Sequence, residues 1–392
     1  MQSKDVKKSM DARNKASEAK NNVEAAQAEE VPTIPLGSLE TINMLQPEVS
    51  FHSVASTRSV NMPVPLVVQP SEYHRSTNEW FQVWWDGIRP SYLLLSLVPV
   101  CVGSILAWVQ TFTTKKTFGH FHVTHFISIV LAVILIQIGA NLVNDYYDYL
   151  RGIDTSNTLG PGGLIQQGLI KPSRVLSLGL TALALGAIVG IIAAFAGGPL
   201  VYLLGVIGLL CAYFYSATTH SIASITFGEI VGFFLFGPLI TLGAYLVMAQ
   251  THSVDRTTLI YSIPLGLLAA AAIHANNMRD IEGDAYARRR TIASILGLQR
   301  SRWLYITLIS IAYLIVIGLA IPRSGPHFIL LTLWTLPILI VALTSAIRSN
   351  TSAGLHFVMH QTLKLETYFG LLLIIAFFIT AILQVLPTHL LP

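Results

Sequence analysis

Charge is the scarcest feature of this sequence. Only 11% of its 392 residues are Asp, Glu, Lys or Arg, against about 25% in ordinary soluble domains. With 53% hydrophobic residues and a mean hydropathy of +0.61, a soluble chain would lack the charge to cover its surface. That excludes an ordinary cytosolic enzyme and a disordered chain. Cysteine is nearly absent. Cys101 and Cys211 both lie in apolar runs, so there is no disulfide framework and both read as packing residues. No P-loop or glycine-rich dinucleotide fingerprint is present, so neither an ATP-driven pump nor a nicotinamide enzyme is indicated. An early apolar h-region is missing, which argues against a secretory signal, and plentiful acids argue against a transit peptide. The pI near 9.0 does not point to nucleic acid, because the basic residues are not pooled in one soluble domain.

What charge there is lies unevenly. Residues 1–90 hold 9 of the 24 Lys and Arg and 11 of the 20 Asp and Glu. Residues 1–78 are polar, with scattered apolar positions that cannot offset chain entropy, so a disordered N-terminal tail is expected there. Trp80, Phe81, Trp84 and Trp85 follow within six residues, which suits a short helix at a membrane interface. Long apolar segments come next. They predict an all-α, multi-pass membrane domain over 79–392, with nine spans at about 91–110, 124–143, 176–196, 198–215, 225–248, 259–275, 303–321, 327–346 and 366–386, most near the ~20 residues that a bilayer core requires. With a cytoplasmic N-terminus, the inside segments carry 20 of the Lys and Arg residues and the outside segments 4. The positive-inside rule therefore places the N-terminus in the cytoplasm.

Nine acids remain after position 90, and six fall in two short stretches, after spans two and six. One runs Asn141, Asn144, Asp145, Asp148 and on to Gly152 and Asp154. The other runs Asn276, Asn277, Arg279, Asp280, Glu282 and Asp284. Helical spacing puts Asn141, Asn144 or Asp145, and Asp148 on one face, and Asn276, Asp280 and Asp284 on another. Acids at membrane depth are costly and need a partner or water. Two hard-oxygen clusters on one cavity would suit Mg²⁺, which keeps waters and bridges substrate phosphates through one or two carboxylates. The bland alternative is solvated helix caps, for which Asp and Asn also serve. Arg279 lies inside the second stretch and reads as a clamp for a leaving group, whereas the run Arg288, Arg289 and Arg290 reads first as a topology signal. His120, His122 and His125 fall on the other side from the acids, His220 and His274 read as polar packing residues, and Gly160 to Gly163 as a plain turn.

At these motifs the chain resembles the UbiA-type intramembrane prenyltransferases, over roughly residues 85–390. Within that superfamily it is most similar to the 1,4-dihydroxy-2-naphthoate prenyltransferases of menaquinone synthesis. The likeness rests on Arg89-Pro90 opening span one, on NLVNDYYDYLRGID and on NNMRDIEGDAYARRRTIASILG. The 4-hydroxybenzoate branch reads NDxxDRxxD. Here Tyr149 follows Asp148, Gly152 stands where its last Asp would be, and Asp154 comes next.

The resemblance implies nine helices around a central cavity, with two motifs holding Mg²⁺ and a prenyl diphosphate. Carried over by position, Asp145, Asp148, Asp280 and Asp284 are the metal residues. Asn144, Asn277, Asp154 and Arg89 bind substrate, and Asp148, Asp280 and Arg279 carry catalysis. Relatives often place a basic residue in the loop after span four, but Tyr215 to Glu229 contains no Lys or Arg, only His220. The implied reaction is prenyl transfer to dihydroxynaphthoate with loss of CO₂ and diphosphate, in the cell membrane. The competing readings are prenylation of another aromatic acceptor such as 4-hydroxybenzoate, a relative lacking an aromatic acceptor, and a membrane transporter.

Overall fold

Residues 76–115, 121–152, 164–165, 168–217, 221–286, 289–322 and 326–385 are described by the structure, a computed structural model. Asp154, His120, His220, Gly160 to Gly163, Arg288 and almost all of the expected N-terminal tail lie outside them. Among the described residues every regular element is helical. Eight helices are long and apolar enough to cross a membrane, and a ninth apolar helix, Pro199–Phe214, is shorter. The chain is an integral membrane protein with the all-α architecture that its apolar runs dictate.

The first helix, α1 (Thr77–Ile88), is amphipathic. Val83 and Trp84 pack against Leu142 and Leu164, while Trp80, Phe81 and Trp85 stay exposed. It ends at Arg89, because the helical region is disfavoured for a residue that precedes proline. Arg89 takes φ 57° instead, a left-handed conformation that costs energy in any residue with a Cβ. Then come α2 (Pro90–Lys115) and α3 (Val123–Arg151). Gly152, at φ 64°, closes α3 by donating its N–H to the Tyr149 carbonyl, as helix C-termini commonly do.

The helices α4 (Pro172–Gly197) and α5 (Pro199–Phe214) form a hairpin through Gly198. Gly228–Ala249 is α6, interrupted by a π turn at Leu235–Leu239 that contains Pro238. Proline removes a backbone donor, and the wider turn absorbs the loss. Arg256–Arg279 is α7, capped by the Asp255 side chain, which accepts from the Thr258 N–H at 2.6 Å. At the α6–α7 crossing, Gly237 and Gly266 meet back to back. A Cβ on Gly237 would lie 2.7 Å from the Gly266 Cα and 2.9 Å from the Ser262 carbonyl oxygen, so only small residues allow this approach. A short α8 (Ile281–Tyr286) is followed by α9 (Ile292–Ala320), α10 (His327–Arg348) and α11 (Ser352–Val385).

The packing order explains where space is left. Helix α2 lies against α6 and α11, α3 against α4, and α7 against α6, α9 and α11. Large apolar side chains such as Phe195, Trp334 and Leu314 cover the outer surface, at 77%, 77% and 64% exposure. A bilayer is the solvent that such a surface requires. The interior between α2 and α7 holds a cavity of about 310 Å³, to which α9, α10 and α11 contribute no wall among the described residues.

Candidate active site

The cavity has a polar end and an apolar length. Its polar end is formed by Arg89 and Tyr92 of α2 and its entry, by Asn141, Asn144 and Asp148 of α3, by Asn276, Asn277, Arg279 and Asp280 from the end of α7, and by Asp284 and Arg289 beyond it. The two arrays therefore meet across one cavity. Gly283, also in the wall, leaves room between Asp280 and Asp284. The rest is apolar, reaching Ile129 at the start of α3, Ala193 near the end of α4, Val201 at the start of α5 and Val247 near the end of α6. Ile129 and Asp148 are separated by roughly 28 Å of helix at 1.5 Å per residue, so the cavity runs most of the length of the bundle.

In the first array, Arg89 donates to the Asn144 Oδ1 at 2.9 Å and lies 3.6 Å from Asp145. Asn144 donates in turn to the Ser216 hydroxyl at 2.8 Å, so both ends of its carboxamide are already engaged. Asn141 donates to the Ile88 carbonyl at 2.8 Å, which ties α3 to the strained junction that aims Arg89. Asp148 lines the cavity, with Arg151 at 3.5 Å. Asp145, by contrast, is buried against Arg89 and is not part of the cavity wall.

In the second array, Arg279 donates to both carboxylate oxygens of Asp280, at 2.6 Å each, and approaches the His356 Nδ1 at 3.1 Å. His360 continues this contact, 3.0 Å from His356. Neither histidine was evident from the sequence, because both sit on the last long helix, far from either motif in the chain. Asn276 accepts from the Tyr92 hydroxyl at 3.2 Å. Asp284, 1% exposed, accepts from the Thr291 hydroxyl at 2.9 Å and faces Arg289 at 3.3 Å. Burial pushes the Asp284 carboxyl up to about 6. Arg289 and Thr291 pull it down, and the charges of Asp280 and Asp148 add to the rise. Asp148 of the first array and Asp284 of the second both line the cavity.

Arg289 places a cation beside the loop after α5. Its guanidinium donates to the Ala223 carbonyl at 3.0 Å within that loop, and Arg151 donates to the Ser216 carbonyl there. Burial works to lower the Arg289 value, but Asp284, Asp148, Tyr215 and Asp280 together raise it, so it stays charged. The arginine run thus divides, with Arg289 in the cavity wall and Arg290 exposed. The Nε atoms of Arg89 and Arg289 are buried without a hydrogen-bond partner. A buried donor left unpaired is costly, and both guanidinium groups belong to the cavity wall.

Among the described residues, no three His, Cys, Asp or Glu side chains are grouped closely enough to form a closed metal site. Mg²⁺ makes a smaller demand, taking one or two carboxylates and completing its shell with water and phosphate oxygens. Asp148, Asp280 and Asp284 on one cavity wall fit that demand.

A membrane-spanning helical bundle enclosing two Asn/Asp arrays, buried cations and a long apolar tunnel has the makings of an enzyme for a lipid-tailed anion. The chain belongs to the UbiA prenyltransferase family, which matches residues 96–365. It is 29% identical over 299 residues to the 1,4-dihydroxy-2-naphthoate octaprenyltransferase of Bacillus subtilis, covering 76% of this chain and 93% of that one. The enzyme of the same name from Mycobacterium tuberculosis is 34% identical over 233 residues, covering 59% and 76%. The UbiA prenyltransferase domain-containing protein 1 homolog of Drosophila melanogaster is 30% identical over 309 residues, covering 77% and 82%. The fold is similar to the apo structure of a UbiA homolog from Aeropyrum pernix K1, with TM-score 0.56 and 15% identity over 72% of this chain and 97% of the other. It is also similar to a UbiA homolog from Archaeoglobus fulgidus bound to GPP and Mg²⁺, with TM-score 0.52 and 15% identity over 74% and 99%.

Proposed function

We propose that this prenyltransferase moves a prenyl chain from an allylic prenyl diphosphate to 1,4-dihydroxy-2-naphthoate, releasing CO₂ and diphosphate and forming a demethylmenaquinol, the reduced form of a demethylmenaquinone. The observation that carries the reading is the single cavity, with carboxylates and unpaired arginine Nε donors at one end and an apolar tunnel behind them. Supporting it are the dihydroxynaphthoate relatives and the fold shared with a homolog that binds GPP and Mg²⁺.

Arg89 and Arg289, both in the polar wall of the cavity, hold the diphosphate. Asp148, Asp280 and Asp284 would hold Mg²⁺, which when bound neutralises charge on the diphosphate oxygens. In the free protein Arg279 covers both oxygens of Asp280, so this carboxylate opens to the cavity as Arg279 turns toward the leaving group. The bond between allylic carbon and diphosphate oxygen breaks, and its electron pair leaves with the diphosphate. The tunnel keeps water from the allylic cation. The electron-rich ring supplies the pair for the new carbon–carbon bond, and loss of the ring carboxylate as CO₂ returns a pair to the ring. By the Lys and Arg distribution, the polar end faces the cytoplasm of the cell membrane. That is where a soluble aromatic acid would enter, while the tail enters from lipid.

The test is acceptor choice. With one prenyl diphosphate, kcat/KM is measured for 1,4-dihydroxy-2-naphthoate and for 4-hydroxybenzoate. The naphthoate is expected to win by about a hundredfold, the scale on which misplacing a reactant acts. Equal or better use of the benzoate would move the chain to that branch and leave the fold and the site standing.

A further inference from the structure

Behind the second array lies a buried acid–base pair that the chemistry above does not use. Glu229, in the first turn of α6, is 4% exposed, and His274 of α7 is 0% exposed. The His274 Nδ1 is 2.9 Å from the Glu229 Oε1, and its Nε2 is 3.1 Å from the Ser301 carbonyl oxygen. Asn277, almost one turn further along α7, donates its Nδ2 to the same Glu229 oxygen at 3.0 Å. Neither Glu229 nor His274 lines the cavity, but Asn277 does.

The donors and acceptors fix the arrangement. A carbonyl only accepts, so the His274 Nε2 carries a hydrogen. A proton therefore also lies between the His274 Nδ1 and the Glu229 Oε1, for otherwise two lone pairs would face each other. The Glu229 Oε1 also receives the Asn277 NH₂. Turning that amide over would set its carbonyl oxygen against the carboxyl oxygen, so the Asn277 Oδ1 is left for the cavity. The other Glu229 oxygen, Oε2, is buried with no partner. Buried ionisable pairs are poor sources of stability compared with apolar packing, and at membrane depth they are costly to keep. Stability alone does not account for this one.

We propose that Glu229 and His274 are positioning residues, which act through Asn277 by locking its carboxamide so that an oxygen that only accepts faces the reacting groups. This rests on the reading of Asn277 as part of the site. Glutamine in place of Glu229 offers both a donor and an acceptor, so the amide loses its fixed sense while the volume is kept.

A double-mutant cycle tests this on full-length protein in detergent or nanodiscs, with kcat and KM measured separately and the midpoint of thermal unfolding recorded. Asn277→Ala and Glu229→Gln are each expected to lower kcat/KM about tenfold or more. In the Asn277→Ala background, Glu229→Gln is expected to lower it no further. Losses that multiply in the double variant, as two independent defects would, overturn the proposal. A fully active Asn277→Ala variant also overturns it, and it removes Asn277 from the site as well, so that failure is distinguishable from an error in the positioning argument. If Glu229→Gln does not insert, His274→Gln carries the same cycle with the same expected non-additivity.

Discussion

Asp284 joins the electrostatics of the site to a measurable pH dependence. Its carboxyl is raised to about 6, first by burial, so it is neutral below that pH and charged above it. A protonated carboxyl does not bind Mg²⁺, and proton and metal compete. The Mg²⁺ concentration for half-maximal activity is therefore expected to rise about tenfold for each pH unit below 6, and to flatten above 7. Thr291→Val removes a hydrogen bond that favours the charged form, so the break moves to higher pH. Mg²⁺ titrations from pH 5 to 8 check both, and an unchanged midpoint across that range would count against the role of Asp284. Asp148→Asn and Asp280→Asn keep shape and lose charge, and each is expected to lower kcat by about a hundredfold or more in normally inserted protein. Arg289→Gln is expected to raise the KM for prenyl diphosphate, while Arg290→Gln, on an exposed side chain, leaves it within twofold. The arrays were legible in the sequence because acids are rare in apolar segments. The division of the arginine run was not. Topology signals and anion clamps share one composition, and the contacts of Arg289 with Asp284 and the Ala223 carbonyl, with its place in the cavity wall, separate them.

At the level of elements, the apolar runs located the spans but not the helix ends. The last span was expected from 366, yet α11 begins at Ser352. The span expected from 303 begins at Ile292 and continues past Gly297, whose φ of 70° marks a kink. Hydropathy reports only the lipid-facing stretch, whereas the polar extensions are held by caps and packing. The Thr291 hydroxyl accepts from the Ser294 N–H at 3.1 Å, and His356 lies in such an extension. The glycines of the tunnel were equally silent in sequence. Gly205 of α5 and Gly243 of α6 line the cavity, and a Cβ at either would meet nothing within 4 Å. A side chain there starts into open space and narrows the tunnel. Gly205→Leu and Gly243→Leu are therefore expected to leave turnover of a ten-carbon donor within about threefold. They should lower kcat/KM for a forty-carbon donor by about tenfold or more, the scale of excluding a few methylenes from an apolar pocket. Equal losses for both donors would show that the long chain takes another route.

For the whole molecule, the cavity wall among the described residues lies between Arg89 and Arg289, and the polar, unpatterned segment that precedes α1 is expected to take no part in the chemistry. Deleting that segment is expected to leave kcat and both KM values within about twofold in purified protein, since changes away from packed features have small effects. A loss of turnover in normally inserted protein would assign the segment a direct role. The central claim, that this cavity joins a prenyl chain to a dihydroxynaphthoate ring with loss of its carboxylate, meets its most direct test in a doubly labelled turnover. Purified full-length protein is given prenyl diphosphate labelled in the chain and 1,4-dihydroxy-2-naphthoate labelled in the carboxylate, with Mg²⁺, and lipid-soluble product and released CO₂ are counted together. The account predicts equal amounts of prenylated naphthoquinol and labelled CO₂, both abolished by a chelator. Hydrolysis of the diphosphate without ring transfer, or transfer that retains the carboxylate label, would contradict it.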